Sequence, residues 1–408
     1  MGQKLTSKRF LYRLIQATFF IIGLGSIILA LILTENFILR FSVDKIIYDS
    51  TLAKLVFLRM FLVFVGSLFL YLFAMFLKKK EILDNFIFRH ESKLKNLILL
   101  LFVLIMFFLV FEVVLRIYLK SETSLYGFGP GSLKFNKNFV LLNNEGARDY
   151  NFNIEKDNRA YRIVAVGDSF VYGAGVKNVN DTFLKVLERI FNNESKNGKK
   201  FEFYNFAVPG AYTASEIDIL NEKGLKYEPD LILIGYNLND FINVDPDIKE
   251  YKSVIGVPFI GFWLRNYFYS YYFLESRFNK VLEIIKLKQN YESALLINLY
   301  SQKNKEYHSG KISDIAKIAE ENNISVVFVI FPLIYNLNDY PLLPIDEFVK
   351  DSAKKENFYV VDLLLAYSKY PESQLVVNNY DSHPNELGHK LAAEETYKIM
   401  KENNLTMR

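Results

Sequence analysis

The sequence predicts a three-layer α/β domain with a mostly parallel sheet, preceded by three transmembrane helices. Three observations carry that expectation. The first third of the 408-residue chain holds three long, nearly uninterrupted runs of Leu, Ile, Phe and Val. After about Ser121 the composition shifts to the mixture of apolar, charged and turn residues found in water-soluble domains. There, apolar runs of strand length alternate with longer stretches of helical periodicity, as in a parallel sheet with crossover helices. The boundaries read as a membrane region over 1–119, a Gly-rich and polar connector over 120–160, and the α/β domain over 161–408.

The first span covers about Leu14 to Thr34, without a charged residue, which matches the roughly 20 residues a helix needs to cross the hydrocarbon core. A cleaved signal peptide would need a shorter apolar region and a small-residue cleavage site. The second span runs from about Leu55 to Leu77, with Arg59 near one end, where its stem can reach the interface. A third covers about Asn96 to Tyr118, and Glu112 inside it can pair with Arg116 one turn on.

Orientation follows from the basic residues. Lys4, Lys8, Arg9 and Arg13 precede the first span, and Lys78, Lys79, Lys80, Arg89, Lys93 and Lys95 crowd the loop after the second. The positive-inside rule therefore places the N-terminus in the cytoplasm and, after three spans, the large domain outside it. Met1-Gly2-Gln3-Lys4-Leu5-Thr6 fits a myristoylation pattern that would be redundant beside these spans. The sequons at Asn180, Asn193, Asn323 and Asn404 are what an Asn-rich chain produces by chance.

Charge and composition narrow the function. There is no Cys, which removes disulfides, thiolate catalysis and Cys-ligated metals while leaving the redox compartment open. A net charge of +4 is spread along the chain, so nucleic-acid binding is not indicated.

Strands are expected at Arg162–Val166, Phe203–Phe206, Leu231–Ile234, Ser325–Phe331 and Tyr359–Val361. Helical periodicity falls at Thr182–Asn192, Ser215–Tyr227, Ile312–Asn322 and about Asn385–Lys401. The stretch from about 245 to 307 exceeds an ordinary connection and carries Phe259, Phe262, Trp263, Tyr267, Phe268 and Tyr269 among other rings. It reads as an insertion: a lid, an acyl-chain groove, a surface on membrane headgroups, or simply core.

The chemistry-bearing residues cluster at strand ends, where open parallel sheets place their sites. Gly167-Asp168-Ser169-Phe170 follows the first strand, presenting Ser169 in a turn before a helix. The second strand leads into Val208-Pro209-Gly210, where a residue without a side chain can bring its N–H close to a reacting carbonyl. The third leads into Asn237-Leu238-Asn239-Asp240, where Asn239 can supply a side-chain amide. Near the C-terminus stands Asp381-Ser382-His383-Pro384. Among four His, His90 lies in the predicted cytoplasmic loop, His308 in a polar stretch and His389 within a helix, which leaves His383 as the base.

In this order, Ser169, Gly210, Asn239 and His383 resemble the four marker residues of the SGNH (GDSL-type) hydrolase superfamily. The resemblance spans about Asn144 to Met400, and the lead-in Asn144-Glu145-Gly146-Ala147-Arg148-Asp149 is similar to that of membrane-anchored bacterial members. It implies a flavodoxin-like sheet, Ser169 as nucleophile, His383 as base, and an oxyanion hole of the Ser169 and Gly210 N–H groups and the Asn239 amide. Two positions depart from the pattern. The triad Asp of the family stands three residues before the His, which here is Tyr380, while Asp381 stands two before; and the family's third block reads Gly-x-Asn-Asp, whereas Gly235 precedes Asn239 by four, Asn239 being preferred over Asn237 because Asp240 follows it. Asp381 is then the orienting carboxylate, a role that a backbone carbonyl can also fill.

The resemblance implies an esterase that forms an acyl-serine and needs neither metal nor cofactor. An outward-facing anchor suggests an acylated envelope glycan or a lipid as substrate. An O-acyltransferase modifying a surface polysaccharide would use the same residues and require a membrane acyltransferase partner. A non-catalytic scaffold is the third reading, against which Ser169, Asn239 and His383 together argue.

Overall fold

A computed structural model describes residues 2–34, 49–78, 80–119, 130–195, 198–238, 264–265, 267–284, 302–378 and 381–406. Among these, residues up to Val114 form one compact unit and those from Leu115 a second.

The first unit is built from α1 (Gly2–Ile32), α2 (Asp49–Lys78) and most of α3 (Lys80–Tyr118). Within them Tyr12–Ile32, Leu55–Lys78 and Asn96–Tyr118 are long and apolar enough to cross a membrane, with mean hydropathies of 2.3, 2.5 and 3.2. The first span thus lies two residues earlier than the sequence suggested. Helices α1 and α2 approach closely where both lack side chains: a Cβ on Gly66 would come within 2.8 Å of the Gly23 carbonyl oxygen. Small residues at such crossings let packing, rather than the hydrophobic effect, join helices in lipid. Phe19 meets Phe69 and Phe76 beside this contact, at ring distances of 5.3 and 5.5 Å. Arg59 Nε donates to the Ala30 carbonyl at 2.9 Å, and α3 leaves helical geometry at His90, ahead of its apolar span.

The second unit carries a five-stranded sheet. In chain order its labelled elements are α4 (Pro130–Phe139), β1 (Ala160–Gly167), α5 (Ser169–Tyr172), α6 (Phe183–Glu194), β2 (Lys200–Asn205), α7 (Thr213–Ile219), β3 (Leu231–Asn237), α8 (Tyr269–Ile284), α9 (Gln302–Glu321), β4 (Ser325–Phe331), α10 (Leu343–Lys355) and β5 (Tyr359–Asp362). A short hairpin, β6 (Val376–Asn378) and β7 (Asp381–Pro384), and α11 (Glu386–Glu402) complete it. The strand order is β2-β1-β3-β4-β5 with every pair parallel. This doubly wound order places the carboxyl ends of β1 and β3 side by side, where the direction of winding reverses.

The central strands are covered on both faces, so they read as continuous apolar runs. Ile163, Val164 and Val166 of β1, all of Leu231–Ile234 and Val327–Phe331 are fully buried. Each such side chain contributes about 1.5–3 kcal/mol relative to exposure. The polar exceptions are paired: Arg162 and Glu202, register partners across β1 and β2, form a buried ion pair at 3.0 Å.

Several boundaries differ from expectation. Strand β2 begins at Lys200, because alternation of Lys200 and Glu202 with Phe201 and Phe203 is a strand pattern as well as a loop-like composition. The helix expected over Ser215–Tyr227 is α7 followed by a π-helical turn at Leu220–Gly224 and a 3-10 turn at Leu225–Tyr227. Helix α9 begins ten residues before the expected Ile312, inside the proposed insertion. The insertion falls largely outside the described residues; within it, Tyr269–Ile284 is helical, and Arg116 donates to the Tyr267 carbonyl at 2.7 Å. The second half of the connector belongs to the domain, since Val140, Leu142 and Phe152 pack against its core.

Candidate active site

The turn that carries Ser169 is shaped by what it lacks. Gly167 closes β1 and sits in register with Gly235 of β3. A Cβ on Gly167 would meet Val171 Cγ2 at 2.5 Å, and one on Gly235 would meet the same atom at 2.0 Å. The two glycines thus make room for Val171, which seats α5 on the strand ends directly after the sheet. Asp168 caps α5, its Oδ1 accepting the Phe170 N–H at 2.8 Å. Gly173, at φ +79°, closes the helix in the left-handed region. Ser169 is 3 % exposed, at the first position of α5.

The lead-in Asn144–Asp149 braces the turn from behind. The Arg148 guanidinium, 1 % exposed, donates to the carbonyls of Tyr172, Gly173 and Val176. Asp149 bridges Lys185 at 2.8 Å and the Asn205 N–H at 3.0 Å. Asn205 in turn donates to the Val171 carbonyl at 3.2 Å. Sequence reasoning quoted this segment only as part of a resemblance. Its supporting role depends on contacts 24 to 56 residues away.

The hairpin β6–β7 brings in His383. Asn385 N–H donates to the Leu375 carbonyl at 2.7 Å, and the Asn385 amide donates to Gln374 and Val376, pinning the end of β7. The same side chain caps α11 by accepting from Leu387 and Gly388. His383 Nε2 lies 2.9 Å from Ser169 Oγ, and its Nδ1 lies 2.6 Å from Asp381 Oδ1. With Asp381 accepting at Nδ1, the neutral ring presents Nε2 as acceptor to the serine hydroxyl. The Asp381 side chain is fully buried, and Phe170 packs against the imidazole at 5.2 Å. The two-residue spacing works because Asp381 and His383 occupy one extended strand, whose alternate side chains share a face. Tyr380 lies outside the described residues.

Gly210 occupies the turn Val208–Ala211, closed by the Ala211 N–H to the Val208 carbonyl at 2.9 Å and tied to β1 by Val208 N–H to Gly167 O at 3.0 Å. Pro209 precedes Gly210, whose φ is +79°, the pairing a type II turn requires. Among the described residues, its chain neighbours aside, no atom lies within 4 Å of where its Cβ would stand. Asn239 lies outside the described residues. Asn237, the alternative, is buried and its amide donates to the Phe331 carbonyl at 3.2 Å.

The other histidines are engaged elsewhere. His389 is fully buried in α11 and accepts from the Phe183 N–H at 3.0 Å. Burial, with Arg148 and His383 adding to it, pushes it down to about 3, so it remains neutral. No cluster of three or more metal-ligating carboxylate or imidazole groups occurs among the described residues. A cleft of about 570 Å³ lined by Lys156, Arg159, Tyr161, Lys199 and Asp230 lies at the amino end of β1, the end opposite Ser169.

Comparison with known proteins gives the following. The family model of GDSL-like lipases and acylhydrolases matches residues 165–391, a range that takes in Ser169, Gly210, Asn239, Asp381 and His383. Among solved structures, the chain is similar to the lipase/acylhydrolase from Enterococcus faecalis at 18% identity and a TM-score of 0.35, covering 60% of this chain and 96% of that one. It is also similar to the psychrotrophic esterase EstA from Pseudoalteromonas sp., at 14% identity and a TM-score of 0.37, covering 60% and 98%. The acetyl xylan esterase AlAXEase shows 12% identity and a TM-score of 0.36, covering 58% and 98%. Among curated proteins none matches.

Proposed function

Because the chain belongs to the GDSL-like lipase/acylhydrolase family, and is thus a serine hydrolase acting on ester bonds, we propose that it cleaves an acyl ester of an envelope glycan or lipid through an acyl-Ser169 intermediate. The observation that carries this reading is the hydrogen-bonded chain from Asp381 through His383 to Ser169, at 2.6 and 2.9 Å.

In this reading His383 Nε2 takes the Ser169 proton as Oγ bonds to the ester carbonyl carbon. The carbonyl electrons move onto oxygen, held by the N–H groups of Ser169 and Gly210 and the Asn239 amide. The bond to the alcohol then breaks, and His383 returns its proton to that leaving oxygen. Water, deprotonated in turn by His383, attacks the acyl-serine and releases the acid with the Ser169 hydroxyl restored. Asp381 stays ionised throughout, holding the ring in one tautomer and balancing the imidazolium.

The domain works outside the cytoplasm in this proposal, a reading supported by the basic residues in the first turns of α1 and those after the apolar span of α2. Hydrolysis of short- and long-chain p-nitrophenyl esters by the purified full chain, beside Ser169→Ala and His383→Ala, tests the reaction. Turnover lost in both variants is expected, and the preferred chain length separates a deacetylase from a lipase-like enzyme. Equal rates in all three proteins would defeat the proposal.

A further inference from the structure

Helix α7 carries a carboxyl group that the reaction above does not use. Glu216 is fully buried, and neither of its carboxyl oxygens has a hydrogen-bond partner among the described residues. Thr213 Oγ1, one turn earlier and also buried, likewise has none among them. A buried polar group without a partner carries the full cost of its desolvation, and an ionised one far more.

The surroundings decide which form Glu216 takes. Helix α7 packs on β1, on the turn Leu220–Gly224 and on α9. The charged or titratable residues on these elements include Arg162 of β1 and Asp168 beyond its end, Glu222 and Lys223 of the turn, His308, Lys311 and Asp314 of α9, and Asp218 of α7 itself. Arg162 is taken by Glu202 and Lys311 by Asp314. Burial pushes His308 down to about 3, so it carries no charge. Among the described residues Asp168 is the charge that acts on Glu216, and it is negative.

Asp168 is itself fully buried, with Oδ1 accepting the Phe170 N–H at 2.8 Å and Oδ2 lying 3.5 Å from Ser169 Oγ. Neighbouring buried carboxyls do not both ionise, because each charge raises the other in a medium of low dielectric. Asp168 has a backbone donor that favours its carboxylate, whereas Glu216 has none, so the proton belongs on Glu216. Burial first, and Asp168 second, push the Glu216 carboxyl well above the ordinary range.

We propose that Glu216 is a positioning residue that serves the hydrolysis uncharged, as a buried carboxylic acid that adds no second negative charge to that of Asp168 at the nucleophile turn. The inference rests on the acyl-ester reading in one respect: a second charge there would oppose the oxyanion forming beside the Ser169 N–H. It also explains a Glu on a face that apolar packing would otherwise fill.

Two measurements on the purified full chain test it. Infrared difference spectra between wild type and Glu216→Gln report protonation without any turnover. A carboxylic acid carbonyl band present in wild type at neutral pH and lost in the variant is expected; its absence overturns the proposal. The second is the pH profile of p-nitrophenyl acetate hydrolysis, with Ser169→Ala run in parallel. Glu216→Gln, the uncharged isostere, is expected to keep the neutral-pH rate within about threefold and to lack a roughly tenfold alkaline fall that wild type shows as Glu216 ionises. A loss of about tenfold or more in Glu216→Gln at neutral pH overturns it, as does a wild-type acid band that vanishes at alkaline pH with no fall in rate. Activity retained by Ser169→Ala would defeat the serine reading instead, and the infrared result would still decide the state of Glu216.

Discussion

One carboxylate oxygen of Asp381 meets His383 twice, accepting its backbone N–H at 3.2 Å and contacting its ring Nδ1 at 2.6 Å. The carboxylate therefore fixes both where β7 places His383 and which tautomer its neutral ring adopts. Two functions on one oxygen compensate for the shortened spacing, since the backbone bond locks the strand geometry that lets residues two apart share a face.

Replacing that carboxylate with an amide should keep the hairpin and lose the tautomer. Asp381→Asn is expected to lower kcat by on the order of a thousandfold with little change in KM. Steady-state kinetics beside an unchanged circular dichroism spectrum check this. Activity within a few-fold of wild type would mean that a backbone carbonyl orients His383.

The two glycines beneath Val171 should behave as a unit. Gly235→Ala places a methyl against Val171 Cγ2, and overpacking of this kind costs about 1–3 kcal/mol. Thermal unfolding of Gly235→Ala, Val171→Ala and the double variant should show coupling, with the double variant recovering part of the loss. Additive losses would place the methyl elsewhere.

Gly210 separates backbone strain from crowding. Its Cβ direction is open among the described residues but its φ is +79°, so Gly210→Ala should cost about 1–2 kcal/mol of turn stability through conformation alone. If its N–H serves the oxyanion, kcat falls as well, by on the order of 100-fold, while KM holds. Kinetics with a short-chain ester give both numbers.

Asp346, buried in the first turn of α10 with neither carboxyl oxygen partnered among the described residues, sets a pH dependence of stability. Burial, then Asp362, pushes it up to about 8 from an ordinary 3.8. Because its folded-state value is raised, the native state holds the proton that the unfolded chain has lost. Its contribution to stability therefore declines as pH rises between these two values and levels off above the higher one. Asp346→Asn is expected to flatten the decline and to unfold at a higher temperature than wild type in mildly alkaline buffer, as read by calorimetry.

Periodicity made the centre of the fold legible and left its edges obscure. Strands β1, β3 and β4 stood out because burial on both faces writes an unbroken apolar run. Helix α10 did not, since Leu343-Pro344 reads as a break unless Pro is recognised as a first-turn residue, and the hairpin β6–β7 is too short for any periodicity. The start of α9 is hidden by Gln302-Lys303-Asn304-Lys305, a polar stretch that resembles a loop. Ser169 was visible at a strand end, and Asp381 and His383 just ahead of the C-terminal helix, and the structure brings their side chains within hydrogen-bonding distance. The work of Gly235, Arg148 and Glu216 was not visible, because each acts through neighbours that only strand register and tertiary packing bring close.

The central claim is that Ser169 is the nucleophile, and mass spectrometry of the intact full chain after exposure to a small alkyl fluorophosphonate tests it most directly. The account predicts a single phosphonyl adduct in wild type, mapped to Ser169 by peptide analysis, absent from Ser169→Ala and formed far more slowly in His383→Ala. A wild-type chain that stays unlabelled, or a Ser169→Ala chain labelled at the wild-type rate, would contradict it.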